Sequence, residues 1–186
     1  MYTAIATPRH TAPSLTVLCA VLFVAACAPM GARYTQDALP AAVQVPDGHQ
    51  VAMQTVGVGK IAYECKAKKD MTGHEWTFVG PDAALNDRSG MKVGTYAGPP
   101  ATWANLDGSK VTATQVAVAP AGAGNIPYQL VKANPATGSG AMQGVSYIQR
   151  VATSGGVAPS SPCGAETLGA KQWVPYQADY IFWKAA

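Results

Sequence analysis

From Gln50 to the C-terminus, apolar and polar positions alternate with a period of two, and no helical period longer than two turns interrupts them. Val51, Met53 and Thr55 alternate with Ala52, Gln54 and Val56. Gly57-Val58-Gly59 then predicts a turn into a strand over 60–66, where Ile61, Tyr63 and Cys65 share one face. A short strand over 75–79 carries Trp76 and Phe78 on one side, 81–85 predicts a single helical turn, and 86–90 a loop. A strand over 91–96 ends at Gly98-Pro99-Pro100, and Trp103 stands just before Asp107-Gly108, a hairpin signal because Asp-Gly tolerates positive φ.

The longest alternating run is 110–119, followed by strands over 128–133 and 144–153 on either side of a flexible loop at 134–140. After a loop over 155–162 and Cys163, a last strand over 177–184 places Tyr180 and Phe182 on one face. About eight or nine mainly antiparallel strands separated by turn residues predict an all-β single domain over 44–186. Its architecture is a β-sandwich or a small β-barrel. No internal repeat and no second domain is visible in the sequence.

The N-terminus has a different pattern. Arg9 and His10 precede an almost wholly apolar run from Ala12 to Ala26, which ends in Val24-Ala25-Ala26-Cys27. A basic start, an apolar stretch and small residues around a cysteine describe a lipoprotein signal peptide over 1–26. The Cys27 thiol is then the lipidation site, through which the protein partners a membrane. The run is shorter than the roughly 20 residues a spanning helix needs. An ordinary signal peptide cut elsewhere, or a short membrane anchor, is the alternative. Ala28 stands where an Asp would favour retention in the inner membrane, so the expected address is the outer membrane, facing the periplasm. Residues 27–43, rich in Ala and Pro, are expected to form a flexible tether.

Composition agrees with export. The chain has 186 residues, with 19 Gly and 14 Pro and only 12% charged residues, which suits a β-rich domain with many turns. Thirteen basic residues against ten acidic ones give no clustered basic face, so no nucleic-acid partner is expected. Lys66, Lys68 and Lys69 read as a solvated loop. Cys19 falls in the leader and Cys27 takes lipid, which leaves Cys65 and Cys163 in a compartment where disulfides persist. Pairing them is the simplest arithmetic. Two buried free thiols, or a redox pair lacking the usual Cys-x-x-Cys spacing, are the other readings.

Chemical motifs are few. Beyond the leader the histidines are His49 and His74, each beside turn residues, and nothing has metal-ligand spacing, so neither metal nor cofactor is expected. Gly138-Ser139-Gly140 is not a nucleophile elbow, and Gly57-x-Gly59 and Gly122-x-Gly124 lack the third glycine of a phosphate loop. Glu64, Asp107 and Asp179 lie in or beside strands and are the catalytic candidates, should two of them share a cleft and have a raised pKa. Trp103, Tyr128 and Arg150 are the candidate ligand-binding residues: two aromatics offering flat apolar area with a polar handle, and a cation in an otherwise apolar strand. Arg150 pairs with a carboxylate such as Asp179 or faces solvent. Trp76 and Tyr180 read as core, whereas Trp103 and Trp173, in or near turns, read equally as core or as the lining of a binding cleft.

The ordered series of segments resembles the DUF3455 family. It runs through Val45-Pro46-Asp47-Gly48-His49, Ile61-Ala62-Tyr63-Glu64-Cys65 and Trp76-Thr77-Phe78-Val79-Gly80-Pro81. Tyr96-Ala97-Gly98-Pro99, the stretch from Trp103 to Asp107-Gly108-Ser109-Lys110-Val111, and Ile126-Pro127-Tyr128 continue it. Tyr147-Ile148-Gln149-Arg150-Val151, Gly155-Gly156-Val157-Ala158-Pro159 and Val174-Pro175-Tyr176-Gln177-Ala178-Asp179-Tyr180 complete it. The resemblance spans about 43–184. It implies export and a bridge between Cys65 and Cys163, and it carries no activity. Thr95 departs from the family pattern, in which a His often precedes Tyr-Ala-Gly-Pro.

Three functions remain on the sequence: a lipid-anchored envelope domain that binds a small molecule, glycan or envelope partner; a hydrolase or isomerase using the carboxylates; and a structural envelope protein without ligand.

Overall fold

The structure, a computed structural model, describes residues 1–4, 34–69 and 72–186. Cys27 and residues 5–26 of the expected leader lie outside the described residues. Every strand of the described residues lies within 34–186, which forms one compact unit.

Eight strands succeed one another: β1 (His49–Ala67), β2 (His74–Asn86), β3 (Lys92–Ala97), β4 (Thr102–Asn105), β5 (Lys110–Ala119), β6 (Tyr128–Ala133), β7 (Val145–Gly155) and β8 (Lys171–Ala185). Each pairs antiparallel with the next, and β8 pairs back onto β1, closing an up-and-down barrel. The only helical pieces among the described residues are 3-10 turns at Ala41–Val43 and Ala165–Thr167. Closure removes every sheet edge, so the choice between sandwich and barrel resolves to a barrel.

Two local expectations fail. Gly57 and Gly59 do not turn the chain; they lie inside β1, a continuous strand of 19 residues. Both are inward positions where neighbours crowd the backbone. A Cβ on Gly57 would lie 2.5 Å from the Tyr180 ring, and one on Gly59 would lie 2.5 Å from the Ala83 Cα. Glycine there lets a long strand coil around a narrow barrel. The helical turn expected at 81–85 is also absent, because β2 stays extended through Asn86. Pro81 pairs with Ile61 and falls just before the β2–β3 ladder begins at Asp82, so its missing N–H costs that ladder nothing.

Alternation sorts the side chains. Ile61, Tyr63, Leu85, Tyr96, Trp103, Val111, Val131, Ile148, Tyr176, Tyr180 and Phe182 fill the interior. Outward positions carry Lys60, Glu64, Lys132 and Asp179, the reverse of a lipid-facing barrel. Part of the outer wall is nevertheless apolar: Ala119, Leu130, Val151, Ile181 and Trp183 are covered by Val43 and Val45, with Tyr34 and Leu39 beside them. Residues from Tyr34 onward, expected as the end of a tether, are thus docked on β5–β8. Gln149 is the clasp. It is fully buried, donates to Val43 O (2.7 Å) and Gln36 Oε1 (3.0 Å), and accepts from Trp183 Nε1 (2.9 Å).

The two ends of the barrel differ. At the end carrying the β2–β3, β4–β5 and β6–β7 connections, Met142 reaches into the core and is fully buried. The β6–β7 loop, expected to be flexible, is pinned by Asp107. That carboxylate accepts from Ala141 N (2.7 Å) and from Ser109 N and Oγ, and Lys110 bridges to Thr137. At the opposite end, Cys65 is bonded to Cys163, holding the β7–β8 loop against the end of β1. That end keeps a cavity.

Candidate functional site: a cavity in the barrel mouth

A cavity of about 210 Å³ opens at the mouth, between the wall formed by β2–β7 and the β3–β4 turn. An eight-stranded barrel leaves room for packed side chains or for one small ligand. Here three inward positions carry polar groups in place of apolar ones. β5 runs inward as Val111, Ala113, Gln115; β6 as Gln129, Val131; β7 as Ile148, Arg150. Gln115, Gln129 and Arg150 therefore face the cavity, with Gln129 Nε2 donating to Gln115 Oε1 at 2.7 Å.

Aromatic rings form the depth and the rim. Tyr96 stacks on Trp103 with centroids 4.4 Å apart and planes 20° apart, and Tyr180 leans on both at 5.0 and 5.9 Å. Phe78 stands at the rim, 55% exposed, edge-on to Tyr63 at 6.1 Å. Its position arises from a bulge in β2, where Tyr63 pairs with Phe78 and Ala62 with Gly80. Gly98 and Pro99 supply the rest of the rim.

Arg150 is the one charged residue of the lining. Its Nε and Nη2 donate to Pro127 O at 3.2 and 3.0 Å, which fixes the guanidinium while leaving Nη1 without a protein partner among the described residues. The ion pairs among the described residues are Lys66–Glu64 and Arg88–Asp179, so no carboxylate neutralises Arg150. Burial pushes the phenols of Tyr63, Tyr96 and Tyr180 up and that of Tyr176 up to about 12, and the positive charge of Arg150 opposes each of these shifts. Just beyond Arg150, β7 bulges against β8 between Val151 and Ser154, with Ala152 at φ 48°. Bulges beside a site re-aim its side chains. Trp103 adds an orphan: its buried Nε1–H has no partner among the described residues.

The residues singled out from the sequence divide. Trp103 and Arg150 line one cavity; Tyr128 does not, because its neighbour Gln129 holds the inward position and Tyr128 turns outward onto the cluster around Val43. Asp179 is not the partner of Arg150. Arg150 pairs across the ladder with Tyr180 and points in, whereas Asp179 points out to Arg88 at 2.8 Å. None of the catalytic candidates lines the cavity. Glu64 stands 3.4 Å from Lys66, and donors around Asp107, chiefly Ser109, hold its carboxyl below the usual carboxylate range. His49 Nδ1–H donates to Pro46 O and the ring packs edge-on to Tyr147, and no group of three His, Cys, Asp or Glu among the described residues is placed to hold a metal. Trp103 is buried and lines the cavity, whereas Trp173 is 53% exposed and lies outside its lining. Sequence reasoning does not single out Tyr96, Phe78, Gln115 or Gln129 as site residues. The signal for the two glutamines is parity: with Arg150 they are polar residues two positions from inward apolar ones on the consecutive strands β5, β6 and β7.

No characterised protein matches the chain, and no solved structure matches it. A family model does, over residues 46–184, covering all eight strands except Ala185 at the end of β8, and leaving out the docked segment over 34–45. The chain belongs to the family described as protein of unknown function DUF3455.

Proposed function

We propose that this barrel is a binding module that takes a small molecule in its mouth cavity, rather than an enzyme working through carboxylates. The observation that supports this most is the change of chemistry along the inner wall. A core built only for stability would continue the apolar series of β5, β6 and β7, yet Gln115, Gln129 and Arg150 replace it around open space. Few, convergent polar groups in an aromatic-lined concavity describe a ligand site. At about 210 Å³ the cavity is smaller than those that take drug-sized molecules, so its occupant is compact. A glycan is a poorer fit, because sugar hydroxyls ask for strong acceptors and the lining has no carboxylate.

Attachment to the cell envelope is part of the same proposal. The apolar run ending in Val24-Ala25-Ala26-Cys27 and the bond between Cys65 and Cys163 both suit an exported protein held by lipid on Cys27, in the outer membrane and facing the periplasm. Metabolic labelling with a fatty acid should mark the wild type and not Cys27→Ser; label in both would refute the anchor.

The binding reading is tested by thermal denaturation across a panel of small metabolites, with Ala113→Leu as a variant that fills the cavity from within. A ligand that raises the melting temperature of the wild type, and not of the folded variant, supports it. Shifts indifferent to Ala113→Leu, or none across the panel, overturn it.

A further inference from the structure

Resting on that reading, we propose that the cavity selects a planar aromatic monocarboxylate, bound as the anion with its carboxylate on Arg150 and its ring among Phe78, Tyr96 and Trp103. The charge comes first. Arg150 is the single charged residue of the lining, and no acidic side chain among the described residues lies within ion-pair distance of it. Arg150 is half-buried at the mouth, where a carboxylate gains a charge-assisted hydrogen bond from a guanidinium that has no protein counter-charge among the described residues. The two bonds to Pro127 O orient the guanidinium and leave both Nη1 hydrogens without a partner among the described residues. A planar fork presented this way matches a carboxylate better than a point charge would.

The neighbours narrow the class. The Gln129 to Gln115 bond leaves the Gln115 amide N–H₂ without a partner among the described residues, a neutral donor on the same wall as Arg150. One cation and one amide suit a single negative charge; a phosphate dianion would keep an uncompensated charge beside apolar walls. The ring requirement comes from the Tyr96–Trp103 stack and from Phe78, an exposed aromatic at the mouth. Flat rings pack on flat rings by offset or edge contacts. The volume excludes a long acyl chain.

Benzoate, benzamide, acetate and phenyl phosphate are the probes, titrated calorimetrically into the folded domain with its disulfide intact. Benzoate should bind about tenfold or more tightly than benzamide, its neutral near-isostere, and than acetate, which lacks the ring. Phenyl phosphate should bind more weakly than benzoate. Arg150→Gln should erase the preference for benzoate over benzamide while leaving benzamide binding in place. Arg150→Lys, which keeps charge and loses the fork, should restore only part of it. Circular dichroism and melting temperature establish that both variants fold. Equal binding of benzoate and benzamide, or an unchanged preference in Arg150→Gln, overturns the anion assignment and leaves the small-molecule reading standing. Failure of all four probes overturns the aromatic-acid class, and the metabolite panel with Ala113→Leu separately decides the broader reading.

Discussion

A Cβ placed on Gly57 of β1 would sit 2.5 Å from Cε2 of Tyr180 on β8, closer than nonbonded carbons approach. Tyr180 cannot yield. It is fully buried, Tyr96 and Trp103 flank its ring, and its hydroxyl lies 3.2 Å from that of Tyr176. Gly57→Ala should therefore destabilise the domain by about 1–3 kcal/mol, as overpacking does. That sign is informative, because removing a glycine from an unstrained position normally stabilises through the unfolded state. Gly164, at φ −151° with nothing within 4 Å of a built Cβ, is the control: Gly164→Ala should be neutral or mildly stabilising in urea denaturation.

The Gln149 clasp predicts a different kind of loss. Gln149→Leu keeps the volume but leaves the buried Trp183 Nε1 without its acceptor and frees Gln36 and Val43 O from their donor. A cost of about 2–3 kcal/mol is expected. Because the bonds hold the docked segment to β7 and β8, limited proteolysis should cut near Tyr34–Val45 first in the variant. Resistance equal to wild type would mean the segment is held by its apolar contacts alone.

Cys65 and Cys163 are 98 residues apart in sequence. Cross-links over such spans stabilise mainly by restricting the unfolded chain, typically by about 2–5 kcal/mol. The double variant Cys65→Ala/Cys163→Ala should lose that much in denaturant unfolding, and peptide mapping without reductant should recover the two cysteines on one linked pair of peptides.

How far these features are legible in the chain varies with their physical origin. β5 and β6 run over 110–119 and 128–133 as the alternation indicates, because each is bounded by turn residues and has one face inside. The sequence pattern breaks β1 at Gly57 and Gly59, since a glycine that makes room for Tyr180 looks the same in sequence as one that makes a turn. Closure itself depends on β1 meeting β8, a pairing no local pattern encodes. At the site, Arg150 and Trp103 stand out as unusual residue types. Tyr128 misleads, because one step of register decides whether a side chain faces the cavity or the docked segment.

Alkaline pH offers a further check. Burial raises the Tyr176 phenol to about 12, and that of Tyr180 well above its ordinary value. Between pH 10 and 12 the unfolded chain releases these protons while the folded barrel retains them. Their contribution to stability is thus complete below about pH 10 and is lost as pH rises toward 12. The urea midpoint should fall across that interval, and absorbance at 295 nm should show a late-titrating set of tyrosines coincident with unfolding. Uniform titration near pH 10 without unfolding would contradict the buried tyrosine cluster.

The central claim, that the barrel mouth holds a small ligand against Arg150, is most directly tested by heteronuclear NMR of the nitrogen-15-labelled domain during a benzoate titration. Saturable shifts are predicted for the Trp103 indole and the Arg150 Nε–H, with none for the Trp183 indole on the outer side of the wall. Unmoved Trp103 and Arg150 signals, or shifts confined to exposed residues such as Trp173, would contradict it.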